Sequence, residues 1–72
     1  MYISLNGTTA EFKKAGELCE VVISRKLTLA FVDYLQNNGV EVKNFQRNAI
    51  ASRIVIESRQ TERCEELIKS YF

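Results

Sequence analysis

The chain contains no histidine, no proline and no tryptophan, only three glycines and two cysteines, and almost no net charge. Each absence excludes something. Without histidine the commonest general base is missing, and with it the Ser-His and Cys-His nucleophile pairs, so a hydrolase of the usual kind is not expected. Gly7, Gly16 and Gly39 stand alone, which leaves no glycine-rich loop to cradle a phosphate. Cys19 and Cys64 are far apart with no second Cys or His beside either, so no zinc or CxxC spacing exists; both fall on apolar faces and read as buried, unreactive thiols, with a disulfide or a redox role as the alternative. No apolar run approaches the roughly 18 residues of a membrane-spanning helix. The N-terminus lacks the basic-then-apolar layout of a signal peptide, and the default location is cytoplasmic. Ten Lys and Arg against nine Asp and Glu leave a formal charge of +1, far from the balance of a dedicated nucleic-acid binder.

What is present is the composition of one ordinary folded domain, 46% hydrophobic and 26% charged over 72 residues. A chain this short buries only about 60% of the surface it exposes when unfolded, so its stability margin is thin.

Leu27, Ala30, Phe31, Tyr34 and Leu35 recur at the spacing of a helix with one buried side, leaving Asp33, Gln36 and Asn37 to water. With Ser24 as N-cap and Gly39 as the left-handed stop, the pattern predicts a helix over 25–38. Cys64, Leu67, Ile68, Tyr71 and Phe72 repeat it behind Ser58 and predict a second helix over about 59–71, with Glu65 and Lys69 paired across one turn. Between the helices the period falls to two. Val40 and Val42 alternate with Glu41 and Lys43, and Ile50, Ile54 and Ile56 alternate with Ala51, Arg53, Val55 and Glu57, which predicts an antiparallel hairpin of strands at 40–45 and 51–57 turning at Gln46-Arg47-Asn48. "LCEVVIS" at 18–24 is a further strand, with Cys19, Val21 and Ile23 on one face.

Residues 1–16 carry two conflicting signals. Asn6-Gly7 is a two-residue hairpin turn that would bring Ile3, Leu5, Ala10 and Phe12 to one face. Thr8 with Glu11 is also a capping box, with Phe12, Ala15 and Cys19 behind it at loosely helical spacing. The hairpin is favoured because Gly16 falls inside the alternative helix, at a cost of about 1 kcal/mol.

A right-handed crossover from the 18–24 strand sets the 40–45 strand parallel to it, with room between them for one strand. If the 51–57 strand fills that gap, the chain is a single α+β domain of ferredoxin-like order, with both helices on one face. The N-terminal hairpin can then pair along the edge where the usual fourth strand is absent, giving about five strands in a two-layer sandwich. Phe31, Leu35, Ile54, Ile56, Leu67 and Ile68 should anchor the core.

Ala30-Phe31-Val32-Asp33-Tyr34 with Gly39-Val40 behind it, then Glu57-Ser58 and Gln60-Thr61-Glu62-Arg63, resemble the small cytosolic domain that precedes the membrane core in one group of bacterial rhomboid intramembrane proteases. A family of short bacterial proteins assigned to signal transduction looks similar in the same places. The resemblance covers about residues 18–72. It implies a non-catalytic, regulatory domain, since a rhomboid's catalytic Ser and His lie in the membrane part and carry over onto no residue here. In two respects the chain departs from that pattern: the first 17 residues are extra and the loop before the first helix is shorter. The chain ends at Phe72 without a linker or membrane segment, as an excised domain or a free-standing relative would.

No catalytic, metal or cofactor residue is indicated. Glu62, Glu65 and Glu66 share a helix face with Arg59, Arg63 and Lys69 and read as a solvated mixed-charge surface. Three function classes remain. A protein-interaction or regulatory module, with a protein partner or a weak homodimer, is favoured by a sheet face on which Leu18, Val22, Phe45 and Val55 would form an apolar patch, and by the 40–45 strand at the sheet edge with Glu41 and Lys43 blunting it. Glu41, Lys43, Phe45, Arg53 and Val55 are therefore the candidate interaction surface. A nucleic-acid reading rests on Lys43, Phe45, Arg47 and Arg53, opposed by Glu20, Glu41 and Glu57 on the same face. A small-ligand sensor rests on fold analogy alone.

Overall fold

The computed structural model describes residues 1–72. Asn6 and Gly7 both take positive φ, 48° and 82°, the backbone of a two-residue hairpin turn whose twist matches the strands around it. They join β1 (Tyr2–Leu5) to β2 (Thr8–Ala15), which settles the N-terminus as a hairpin; Thr8 lies in a strand and caps nothing. A second tight turn, at Gly16 (φ 64°) and Glu17, leads to β3 (Leu18–Ile23). Then follow α1 (Leu29–Asn37), β4 (Asn44–Arg47), β5 (Ser52–Glu57), a single 3-10 turn over Ser58–Gln60, and α2 (Thr61–Tyr71).

The five strands form one sheet in the order β1-β2-β3-β5-β4, every neighbour antiparallel. β5 thus fills the place between β3 and β4, and the N-terminal hairpin extends the sheet on the far side of β3. Alternate residues of each strand face the helices: Ala10 and Phe12, then Cys19, Val21 and Ile23, then Ile54 and Ile56. These pack with Phe31 and Leu35 of α1 and Cys64, Leu67 and Ile68 of α2 into one buried cluster. All six expected anchors belong to it.

The helix boundaries differ from the expected ones because polar side chains have other partners. Ser24 does not cap α1; its hydroxyl receives the Thr9 amide at 2.8 Å and bonds the Thr9 hydroxyl at 2.9 Å, so it locks β3 to β2. Residues 25–28 cross to the helix layer as a loop. Leu27 is buried there although outside the helix, held by its amide on Ser52 Oγ (2.8 Å) while that hydroxyl donates to Arg25 O (2.7 Å). Ala30, expected on the buried stripe, is exposed, and Val32 is buried in its stead. Ser58 likewise leaves α2 uncapped and bonds the carbonyls of Gly16 and Leu18.

The helix α1 ends at Gly39, as expected, but the motif reaches one residue further. The Gly39 amide donates to Gln36 O and the Val40 amide to Leu35 O, with Gly39 at φ 90°. This is a Schellman cap, and it is completed by contact between Val40 and the core around Leu35. Val40 is therefore part of a helix stop and not of a strand, and β4 begins at Asn44, later than the expected strand at 40–45. The hairpin turn moves with it, from 46–48 to 48–51: Asn48 Oδ1 receives the amides of Ile50 and Ala51 at 3.0 and 2.9 Å. Ile50, which the sequence sets in alternation with Ile54 and Ile56, sits on the turn and is 79% exposed.

Candidate functional site

Both helices lie on one side of the sheet, so its other face is bare. Strand register orders the side chains there into rows. Tyr2, Glu11, Val22, Arg53 and Gln46 cross the sheet in one, Lys13, Glu20, Val55 and Asn44 in the next, and Ala15, Leu18 and Glu57 in the last. Opposite charges meet across and along these rows. Arg53 Nε is 3.4 Å from Glu20, Lys13 Nζ 3.7 Å from Glu11, and Arg59, just beyond β5, 3.0 Å from Glu57. The Arg59 hydrogen bond holds the Glu57 carboxyl below its ordinary value; burial opposes this, and the charges of Arg59 and Lys43 reinforce it.

The five candidate residues do not form one surface. Arg53 and Val55 share the bare face. Glu41 and Lys43 lie in the segment before β4 and pair with each other at 3.5 Å. Phe45 stands opposite Ile54 and so turns to the helix side, where it packs half-buried against the core. The expected apolar patch loses its largest member for that reason. Leu18, Val22 and Val55 remain on the bare face, separated by ion pairs. The nucleic-acid reading loses the same aromatic, and also Arg47, whose guanidinium donates to Leu27 O at 2.9 Å on the helix side.

The two edges of the sheet are unlike. Along β4 the Lys43 amide donates to Val55 O at 2.7 Å, one residue out of step with the Asn44–Val55 register, as at a β-bulge. Gln60 fastens the segment before it, its amide donating to Gly39 O (2.8 Å) and its oxygen receiving the Glu41 amide (3.3 Å). Bulge, flanking charges and the tethered Arg47 are the devices that keep an edge from pairing with other chains.

β1, the opposite edge, has none of them. Met1 and Phe12 exchange main-chain bonds in both directions, at 3.1 and 2.7 Å. Because hydrogen-bonded and non-bonded pairs alternate along an antiparallel ladder, Ile3 and Leu5 point their main-chain groups at β2, while Tyr2 and Ser4 point theirs outward. The residues of β1 are Tyr-Ile-Ser-Leu, uncharged and free of proline. Tyr2 is 63% exposed, and Ile3 and Leu5 are half-buried against the core. The candidate surface read from the sequence omitted this strand. The signal was present: a hairpin expected to extend the sheet leaves its first strand outermost, and the first five residues carry no charged side chain.

In the core, Cys64 is fully enclosed, and burial followed by the neighbouring Cys19 pushes its thiol up to about 12. Both cysteines are free and buried. No helix is long and apolar enough to cross a membrane.

No protein family, curated protein or solved structure matches this chain.

Proposed function

We propose that the chain is a non-catalytic protein-interaction or regulatory module that works in the cytoplasm by offering a sheet edge to another polypeptide. The observation that carries this reading is β1: an outermost, uncharged strand whose Tyr2 and Ser4 main-chain groups face away from the sheet. An extended segment adds to such an edge through main-chain bonds, and neighbouring side chains supply selectivity. The β3-α1-β4-β5-α2 portion is read as a ferredoxin-like unit in which β2 stands where the fourth strand usually lies. That reading is in keeping with the resemblance to the cytosolic domain of bacterial rhomboid proteases, a regulatory attachment without chemistry of its own.

The test is site-specific photo-crosslinking in producing cells, with the photoreactive residue at position 2 on the β1 edge, at 13 on the bare face, or at 36 on the exposed side of α1. Polypeptide adducts from position 2, and none from position 36, are expected. Absence of polypeptide adducts from both 2 and 13 would refute the interaction reading. Adducts to nucleic acid in their place would put the nucleic-acid reading first.

A further inference from the structure

The outward groups of β1 are arranged so that the strand complements itself. We infer that β1 pairs antiparallel with β1 of a second copy about a two-fold axis through Ile3, making one continuous sheet of twice the width; this rests on the reading above that the chain acts through polypeptide pairing. The main-chain N–H and C=O of Tyr2 and Ser4 point outward, and those of Ile3 point inward to Ala10. Set Tyr2 of one copy against Ser4 of the other, and each of the two residues finds a fully bonded mate. Any register that sets Tyr2 against Tyr2 or Ser4 against Ser4 satisfies only half as many groups.

In this register Ile3 opposes Ile3 as a non-hydrogen-bonded pair, on the face where each already packs half-buried against its own core. On the bare face Tyr2 lies over Ser4 and, beyond it, Thr9 of the other copy, so no charged side chain of β1 is brought to the contact; the Met1 ammonium, set opposite Leu5 of the other copy, donates inward to Phe12 O. A two-fold arrangement uses both β1 edges and closes. Pairing β1 with β4 instead would leave a free edge at each end and propagate, and the bulge at Lys43 with the Glu41–Lys43 charges opposes it. The strand is short, so the interface falls well below the roughly 1,200 Å² of a stable complex, and the dimer is a weak one that forms at high concentration.

The experiment is sedimentation equilibrium over a concentration series extending to about 1 mM, the range in which association free energies near 4 kcal/mol are seen. The weight-average mass of the wild type should rise toward twice the monomer value. Ser4→Pro removes an outward donor that β2 does not use, and should stay at the monomer mass while keeping its circular dichroism. Ser4→Lys leaves the backbone intact and places two lysines on diagonal positions about 7–8 Å apart at the backbone across the axis, where like charges oppose pairing, with the same expected loss. The register is read separately with cysteines. Ile3→Cys should form an intermolecular disulfide under mild oxidation, because closely spaced Cα atoms of about 4.5 Å lie within disulfide range, and at least about tenfold faster than Tyr2→Cys. A wild type that stays monomeric throughout, association unchanged by both Ser4 variants, or equal crosslinking at positions 2 and 3 would each overturn the inference. A monomeric wild type that still gives photo-adducts to other polypeptides would remove self-pairing alone and leave the interaction reading standing.

Discussion

Ile54 and Val55 are neighbours in one strand and similar in chemistry, yet they belong to different surfaces. Ile54 faces two helices and is fully buried; Val55 faces the bare side, half-covered, between Glu20 and Asn44. The same contrast runs through β2, β3 and β5. Their covered side carries Ala10, Phe12, Cys19, Val21, Ile23, Ile54 and Ile56 with Thr8 and Ser52 at the ends, while their bare side sets Glu11, Lys13, Glu20 and Arg53 in neutralising pairs beside Val22 and Val55. Stability in this domain therefore comes from one side of the sheet, and the other side is free to change without endangering the fold.

The strongest test of that division is at the centre of the covered face. Phe31 is fully buried, with the ring of Tyr71 edge-on at 5.0 Å and that of Phe72 stacked at 5.8 Å. Phe31→Ala should cost about 3–5 kcal/mol, enough to unfold most of a domain this small, as read by chemical denaturation. Next comes the neighbouring pair itself. Ile54→Ala should cost about 2–5 kcal/mol and Val55→Ala about 1 or less. Equal losses in the two variants would break the contrast between the faces.

A pH experiment reaches the covered face by another route. The Cys64 thiol is raised from an ordinary 9.0 to about 12 by burial and then by Cys19, so it stays protonated in the folded chain where the unfolded chain has lost its proton. Below pH 9 its contribution is constant. Between about 9 and 12 the unfolded state binds fewer protons, and stability should fall by at most about 1.4 kcal/mol per pH unit. Cys64→Ala should lose this part of the alkaline slope, measured as the difference between the two denaturation midpoints at pH 8 and pH 10. Neither cysteine should react quickly with a thiol reagent under native conditions. The smallest effect belongs to the bare face: Arg53→Gln removes the exposed pair with Glu20 and should change stability by less than about 1 kcal/mol, and less still in high salt.

The covered face was legible in the sequence because alternation and helical spacing are direct images of burial. Cys19, Val21, Ile23, Phe31, Leu35, Ile54, Ile56, Cys64, Leu67 and Ile68 all carry the pattern and all lie in the core. So was the hairpin at Asn6-Gly7, whose positive φ angles few other residue pairs adopt readily. The misreadings arose where one local signal served a different partner. Ser24 and Ser58 look like N-caps, but each bonds across the sheet to residues distant in sequence. Val40 and Val42 alternate like a strand, yet Val40 closes the cap of α1 and the ladder starts only after the bulge. That shift in β4 reversed the face assigned to Phe45 and with it the candidate surface. Strand phase is the least forgiving quantity to read, since a single-residue error moves every side chain to the opposite side. Proline at position 43 would not probe an open edge, because the Lys43 amide already donates to Val55 O.

The position of β3 bears on how the chain folds. It meets β2 through the turn at Gly16 and Glu17, but it meets β5 only after α1 and the β4–β5 hairpin have been brought back, with Ile23 reaching Ser52 and Leu18 reaching Glu57. The entropy lost in closing a loop grows with its length, so the meander of β1, β2 and β3 and the β4–β5 hairpin are inexpensive to form while their joining is not. Neither piece has a buried side by itself. We expect the seam between β3 and β5, where Val21 meets Ile54 and Cys19 meets Ile56, to be the last part of the sheet to form.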